Sequence, residues 1–277
     1  KARARGADVR MVYSVSDALA LARAHPEREV VFFGIGFETT TPPTALALRT
    51  ARSEGLGNFS VFCNHVLTPA AMGAILKVSG SETVEIDGFI GPSHVSVVIG
   101  SDAYRFCSTV HRKPVVIAGF EPLDVLQSIL MLVRQINEGR AEIENQYRRA
   151  VTPQGNDRAQ AVVAEVFRRR ERFEWRGLGE IPASALALAA PYADFDADTR
   201  FAMVYEPASG AKSCECPAVL RGAKKPTDCK LFARVCTPEN PLGSCMVSDE
   251  GACAAYYSYG RFRDAVETRD ADAAVSV

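Results

Sequence analysis

From Val30 to Ala118 the apolar residues fall into short unbroken runs, separated by stretches in which they recur at helical spacing. Runs rich in Val, Ile and Phe stand at Val30–Phe33, Phe59–Phe62, Gly88–Ile90 and Pro114–Ala118. Helical spacing covers Ser16–Ala24, Pro43–Glu54, Pro69–Val78 and Pro122–Asn137. An apolar run of strand length suits a strand covered on both faces, and strands alternating with helices imply βαβ units. The pattern predicts an α/β fold, a Rossmann-like layered domain with a mostly parallel sheet.

Threonine and proline mark the helix starts. Thr41 before Pro42-Pro43 predicts an N-cap with proline in the first turn, Thr68-Pro69 repeats it, and Glu121-Pro122 opens a further helix. Each strand stops a few residues before a helix begins, at the carboxyl edge of the sheet, where such folds place their sites. From residue 140 to 172 the pattern is helical and charged, with Tyr147, Val151, Val162, Val166 and Phe167 as inward positions. Gly177-Leu178-Gly179 and Pro182 break it. After Tyr192 the chain becomes loop-rich, with Pro207, Pro217, Pro226, Pro238 and Pro241. The expected division is an α/β domain over 1–140 and, over 141–277, a helical linker with a C-terminal module, ending in a frayed tail at Thr268–Val277.

Charge excludes some functions. The 277 residues carry 32 basic and 33 acidic side chains, a net −1, which gives no electrostatic case for nucleic acid or an anionic membrane. Arg168-Arg169-Arg170 reads as a solvated helix face. The apolar stretches Val115–Phe120 and Ser128–Val133 fall far short of the ~20 residues of a spanning helix and read as core segments. The basic start Lys1–Arg5 is followed by no apolar signal core. A cytoplasmic protein is expected.

Cysteine changes the picture most. Of eight cysteines, Cys214, Cys216, Cys229, Cys236, Cys245 and Cys253 lie within one short stretch. Without a secretion signal, such a group points to metal or redox chemistry before disulfides. A zinc site usually shows two close pairs; here only Cys214-x-Cys216 is close. A cubane iron–sulfur cluster accepts thiolates from scattered loops, and six thiols exceed the four it needs. Thr237–Gly243 is turn chemistry throughout. Ser248-Asp249-Glu250 predicts the capped start of a helix carrying Cys253, with Tyr256 and Tyr257 packed over the metal site.

Among other candidates, Glu38, Thr39 and Thr40 lie between a strand and a helix start, where hydroxyls and free N–H groups can hold an anion. His65 and Cys63, two apart on a strand, face the same way. His94 in Gly91-Pro92-Ser93-His94 is a similar case, whereas His25 and His111 receive no role. Cys63 and Cys107 read as buried small hydrophobes. There is no phosphate-cradling glycine loop, nucleophile elbow or H-E-x-x-H run.

Several runs together carry a resemblance. Cys214-Glu-Cys-Pro-Ala-Val-Leu-Arg-Gly222, Pro226-Thr-Asp-Cys-Lys-Leu-Phe232, Cys236-Thr-Pro-Glu-Asn-Pro-Leu-Gly-Ser-Cys-Met-Val-Ser248 and Glu250-Gly-Ala-Cys-Ala-Ala-Tyr256 closely resemble the HypD family. So do Gly36-Phe-Glu-Thr-Thr-Thr-Pro42, Asn64-His65, Gly91-Pro-Ser-His94 and Ala118-Gly-Phe-Glu-Pro122.

This resemblance implies a factor in the maturation of nickel–iron hydrogenases. It would be a scaffold and redox component for assembly of the iron–dicyanide–carbonyl unit, Fe(CN)2CO, acting with HypC-type and HypE-type partners. It also implies a [4Fe-4S] cluster on Cys214, Cys229, Cys236 and Cys253, with Cys216 and Cys245 as a redox thiol pair. Glu38, Thr39, Thr40 and His65 would serve the assembling unit. The family begins with a further segment holding three more cysteines, the main ligands of the transient Fe(CN)2CO unit, and these are absent here; a truncated or fragmentary sequence is the expectation. Two other functions remain open: a stand-alone thiol–disulfide oxidoreductase with an iron–sulfur cluster, and a zinc-stabilised interaction module.

Overall fold

Two parallel sheets carry the α/β part of the chain in the computed structural model, which describes residues 2–77, 84–175, 177–203 and 213–260. β1 (Val30–Gly36) pairs with β2 (Phe59–His65) along its whole length, with Val30 opposite Phe59 and Gly36 opposite His65. β3 (Phe89–Pro92), β4 (Val115–Ala118) and β5 (Ile143–Asn145) form the second sheet in that order. Helices α1 (Val15–Ala24), α2 (Thr41–Glu54), α3 (Thr68–Leu76), α4 (Ser93–Ile99), α5 (Arg105–Thr109) and α6 (Pro122–Asn137) alternate with these strands. This is the expected layered α/β fold. Val78, Pro207 and the tail Thr268–Val277 lie outside the described residues.

The segment from 140 to 172 differs from its helical expectation. Gly139, with φ of 66°, ends the chain's run as α6, and Ile143–Asn145 then joins β4 as a strand. Only α7 (Asp157–Val166) is α-helical there, followed by β6 (Phe167–Arg169). After β7 (Arg172–Trp175) and β8 (Gly179–Pro182) comes β9 (Leu186–Leu188), antiparallel to β6. A free place on the edge of β4 outweighed local helical preference, as tertiary context commonly does. Of the expected inward positions, Val151, Val162, Val166 and Phe167 are buried and Tyr147 is half-buried.

Two compact units result: Lys1–Ala71 with Gly88–Phe173 and Pro182–Tyr205, and Met72–Asp87 with Glu174–Ile181 and Glu206–Val277. In the first, Leu19 and Ala22 of α1, Ala45, Leu48 and Ala51 of α2, Phe59 and Val61 of β2, Val166 of α7 and Leu188 of β9 share one core. Each large apolar side chain so buried stabilises by about 1.5–3 kcal/mol.

The helix starts depart in detail. Glu38–Thr40 forms a 3-10 turn that runs directly into α2, so Thr40, not Thr41, is the N-cap, and it makes no side-chain cap bond. The Thr41 hydroxyl instead donates back to the Glu38 carbonyl at 2.8 Å. Gly36 turns the chain out of β1 with φ of +121°, a conformation that favours glycine.

Helix α6 is turned opposite to its pattern. Asp124, Ser128 and Gln135 face inward and are buried, while Leu123 (77% exposed) and Leu126 (62%) face out with Ile129, Leu130, Val133 and Ile136. The stretch Ser128–Val133, expected in the core, is therefore mostly outward, and Phe120 is 69% exposed, although Val115–Ala118 is fully inside. Two of the inward polar groups bond locally: Gln135 Oε1 accepts the Glu142 N–H at 2.8 Å, and Ser128 donates to the Asp124 carbonyl at 2.7 Å, while Gln135 Nε2 is buried with no partner among the described residues.

In the second unit the core is built from cysteines. Cys216, Cys236, Cys245 and Cys253 are buried with Val219, Met246 and Ala254. The frame is α9 (Cys216–Leu220), 3-10 turns at Pro226–Asp228 and Ser244–Met246, and α10 (Ala252–Tyr259). Gly251, not Ser248, is the N-cap of α10, and no side chain caps it. Among the described residues no helix is long and apolar enough to cross a membrane.

Candidate functional site

The first group of candidate residues gathers at the carboxyl ends of β1 and β2, as parallel α/β sheets favour. Glu38 is buried, and its carboxylate accepts the Thr68 N–H at 2.8 Å and the Thr68 hydroxyl at 2.9 Å. Burial raises its pKa, and the two Thr68 bonds oppose that shift only in part. Thr39 is half-buried and Thr40 exposed. The Thr40 hydroxyl lies 2.9 Å from the Phe37 carbonyl and 3.2 Å from His65 Nδ1.

His65 is completely buried between two hydroxyls, with Nε2 3.2 Å from Thr44 Oγ1. Desolvation pulls its pKa down to about 4, so the ring is neutral near pH 7. Gly34 makes room for it: a Cβ there would stand 3.2 Å from Nε2. The imidazole meets the Phe167 ring edge to face at 5.8 Å. Cys63 shares this inward face. Its thiol donates to the Leu186 carbonyl at 3.4 Å, and burial raises its pKa. Cys107 is likewise buried and pushed up to about 12.

α4 packs against the Glu38–Thr40 turn. At its start His94 is exposed and stacked on Phe120 at 5.4 Å, with planes 19° apart. Beyond the ends of β4 and β5, Arg149 donates to both carboxylate oxygens of Asp124 at 2.9 and 2.5 Å, and Gln146 adds a bond of 2.9 Å. Arg149 first, and then Gln146, hold the Asp124 pKa down at about 2.

The second group is the thiol core. All eight cysteines are free. Cys214, Cys216, Cys229, Cys236 and Cys253 line one small cavity, closed otherwise by Val219, Leu231, Phe232 and Met246. The Cys214 sulfur lies 3.1 Å from that of Cys216, and the Leu242 N–H donates to Cys236 Sγ at 3.4 Å. Cys245 does not line the cavity. The neighbouring Cys245 thiol first, and then that of Cys253, hold Cys216 far below the ordinary thiol range. Cys216 in turn pushes Cys245 up to about 12, and burial raises Cys214 to about 11. Phe232 is edge-on to Tyr256 and Tyr257 at 6.0 and 6.1 Å, so the tyrosines pack behind a cavity wall. Among the described residues, no group of three or more His, Cys, Asp or Glu is arranged to hold a single metal ion.

Thr44, Thr68, Leu242 and Gly243 touch candidate residues without having been singled out in the sequence. Thr44 follows Thr40 by one helical turn, a spacing that places both on one face. Thr68 carried only a helix-start signal, and the backbone donor of Leu242 carries none.

Fold and site together define an α/β protein bearing a cysteine-cored module. Residues 1–260 match the family model HypD, described as "Hydrogenase formation hypA family". The chain is 63% identical over 279 residues to the hydrogenase maturation factor HypD of Rhizobium leguminosarum bv. viciae, covering all of this chain and 72% of that protein. To the factor of the same name from Cupriavidus necator it is 64% identical over 267 residues, covering 95% of this chain and 70% of that one. For the HypD of Escherichia coli K12 the identity is 46% over 259 residues, covering 94% and 69%. The chain belongs to the HypD family, whose named members are hydrogenase maturation factors.

Proposed function

We propose that this chain acts in hydrogenase maturation as an iron–sulfur scaffold for assembly of the Fe(CN)2CO unit, in the cytoplasm, with HypC-type and HypE-type proteins as partners. The observation that carries the reading is the convergence of Cys214, Cys229, Cys236 and Cys253 on one cavity. The donor set fits a [4Fe-4S] cluster in three respects. Its four sulfurs are soft ligands that suit iron–sulfur chemistry. They come from separate loops and one helix, as cubane ligands do. The N–H donated by Leu242 to Cys236 is the kind of bond that stabilises cluster-bound sulfur.

Cys214, Cys229, Cys236 and Cys253 would hold the cluster, which when bound supplies one-electron redox chemistry. Val219, Leu231 and Phe232 keep water from the sulfurs. Cys216, 3.1 Å from Cys214, and Cys245 would form the redox thiol pair, closing to a disulfide when an external two-electron oxidant takes up the two electrons and two protons released. In the first unit the Fe(CN)2CO unit is cargo. Thr39 presents a hydroxyl at the strand ends, where the cyanide and carbonyl ligands of such a unit can accept a hydrogen bond, while the Thr40 hydroxyl gives its proton to the Phe37 carbonyl and shapes the turn. His65, neutral and enclosed, holds the Thr40 hydroxyl, and Glu38 fixes the turn through Thr68.

Anaerobic purification tests the reading. Brown protein with roughly four iron and four sulfide per chain is expected. Colourless protein carrying one zinc overturns it.

A further inference from the structure

Gly243 has no backbone reason to be glycine. Its φ of −112° and ψ of 155° lie in the extended region open to every residue, so turn chemistry does not account for it. Space does. A Cβ built on Gly243 would land on the sulfurs of both Cys214 and Cys216, nearer than real Cβ atoms approach any neighbour.

The residues on either side serve the same sulfurs. Leu242 donates its N–H to Cys236, and Cys245, two residues on from Gly243, is a neighbour of Cys216. Residues 242–245 thus form a strap that meets three cysteines by three means: a backbone donor, a missing side chain and a thiol. A second glycine secures its far end. Gly251, also extended at φ of −70°, lies so close to the Cys245 carbonyl that a Cβ there would strike it.

We propose that Gly243 is a positioning residue whose bare Cα keeps the sulfurs of Cys214 and Cys216 in contact, making Cys214 the ligand through which the thiol pair meets the metal group. This rests on the preceding assignment of Cys214 as a ligand and Cys216 as a spare thiol. Even a methyl group at 243 must displace one of the two sulfurs, because both stand inside the closest approach that real Cβ atoms make.

The test compares wild type, Gly243→Ala and the double variant Gly243→Ala/Cys216→Ala, all purified anaerobically. Two quantities are read: iron per chain, and the rate of Cys216 alkylation by iodoacetamide, mapped by mass spectrometry. Gly243→Ala is expected to speed Cys216 alkylation by roughly fivefold or more, the lower end of what overpacking a filled site does to an equilibrium. Iron is expected to stay, because all four ligands remain. Should Gly243→Ala lose iron, the double variant recovers it, since without the Cys216 sulfur beside it the Cys214 sulfur can move off the methyl group. Unchanged Cys216 alkylation overturns the proposal, as does iron loss that the double variant fails to restore. Wild type lacking iron would sink the cluster reading alone, because the alkylation comparison still reports the sulfur contact.

Discussion

Glu38 holds Thr68 by both of its polar groups, accepting the backbone N–H at 2.8 Å and the hydroxyl at 2.9 Å. The pair ties the turn after β1 to the start of α3. Thr68→Val keeps the shape and removes the hydroxyl donor. It is expected to destabilise the protein by about 2 kcal/mol at neutral pH, in the range for a hydrogen bond to a charged group. Thr68→Ser should restore most of the loss. Urea unfolding of the three proteins checks this, and the deficit should shrink as pH falls through the raised Glu38 pKa and the carboxyl protonates.

His65 makes stability depend on pH. Its folded pKa of about 4 lies below the ordinary 6.5. Above pH 6.5 the ring is neutral in both states and its contribution is complete. Between 6.5 and 4 the unfolded chain takes up the proton and the native ring does not, so stability is lost as pH falls, by about 3 kcal/mol in all. Glu38 acts with the opposite sign, since a raised carboxyl pKa favours the native state at low pH. The comparison is therefore made against His65→Gln at each pH. Wild type should lose stability more steeply than the variant from pH 6.5 to 4; parallel curves would contradict a buried neutral imidazole.

The inverted face of α6 predicts an inverted response to substitution. Leu126→Gln, on the outward side, should change stability by no more than about 0.5 kcal/mol. Gln135→Ala, on the inward side, strands the Glu142 N–H and should cost about 1–3 kcal/mol. Chemical denaturation of the two variants decides the matter. A larger loss for Leu126→Gln would mean that the apolar side of the helix faces the core.

Much of the α/β unit was legible because β1 to β4 are continuous apolar runs and prolines mark the starts of α2, α3 and α6. The ends of β1 and β2 were not, since Gly36 and His65 bear no apolar signal. Nor was the facing of α6. Its polar and apolar stripes share one period, and only the hydrogen bonds offered by Arg149, Gln146 and Glu142 decide which turns inward. β5 was hidden because Ile143–Asn145 is short and charged, and gains its place from β4. At the thiol core the spacing announced soft-metal chemistry, and the resemblance to a family selected four ligands from six. Gly243 was read as a turn residue, because a glycine needed for space looks the same in sequence as one needed for φ.

The most direct test of the account is iron bound per chain after anaerobic purification of six single cysteine-to-alanine variants. Cys214→Ala, Cys229→Ala, Cys236→Ala and Cys253→Ala should each lose the iron, while Cys216→Ala and Cys245→Ala should keep it. Iron lost from Cys245→Ala, or retained by any of the first four, would contradict the account.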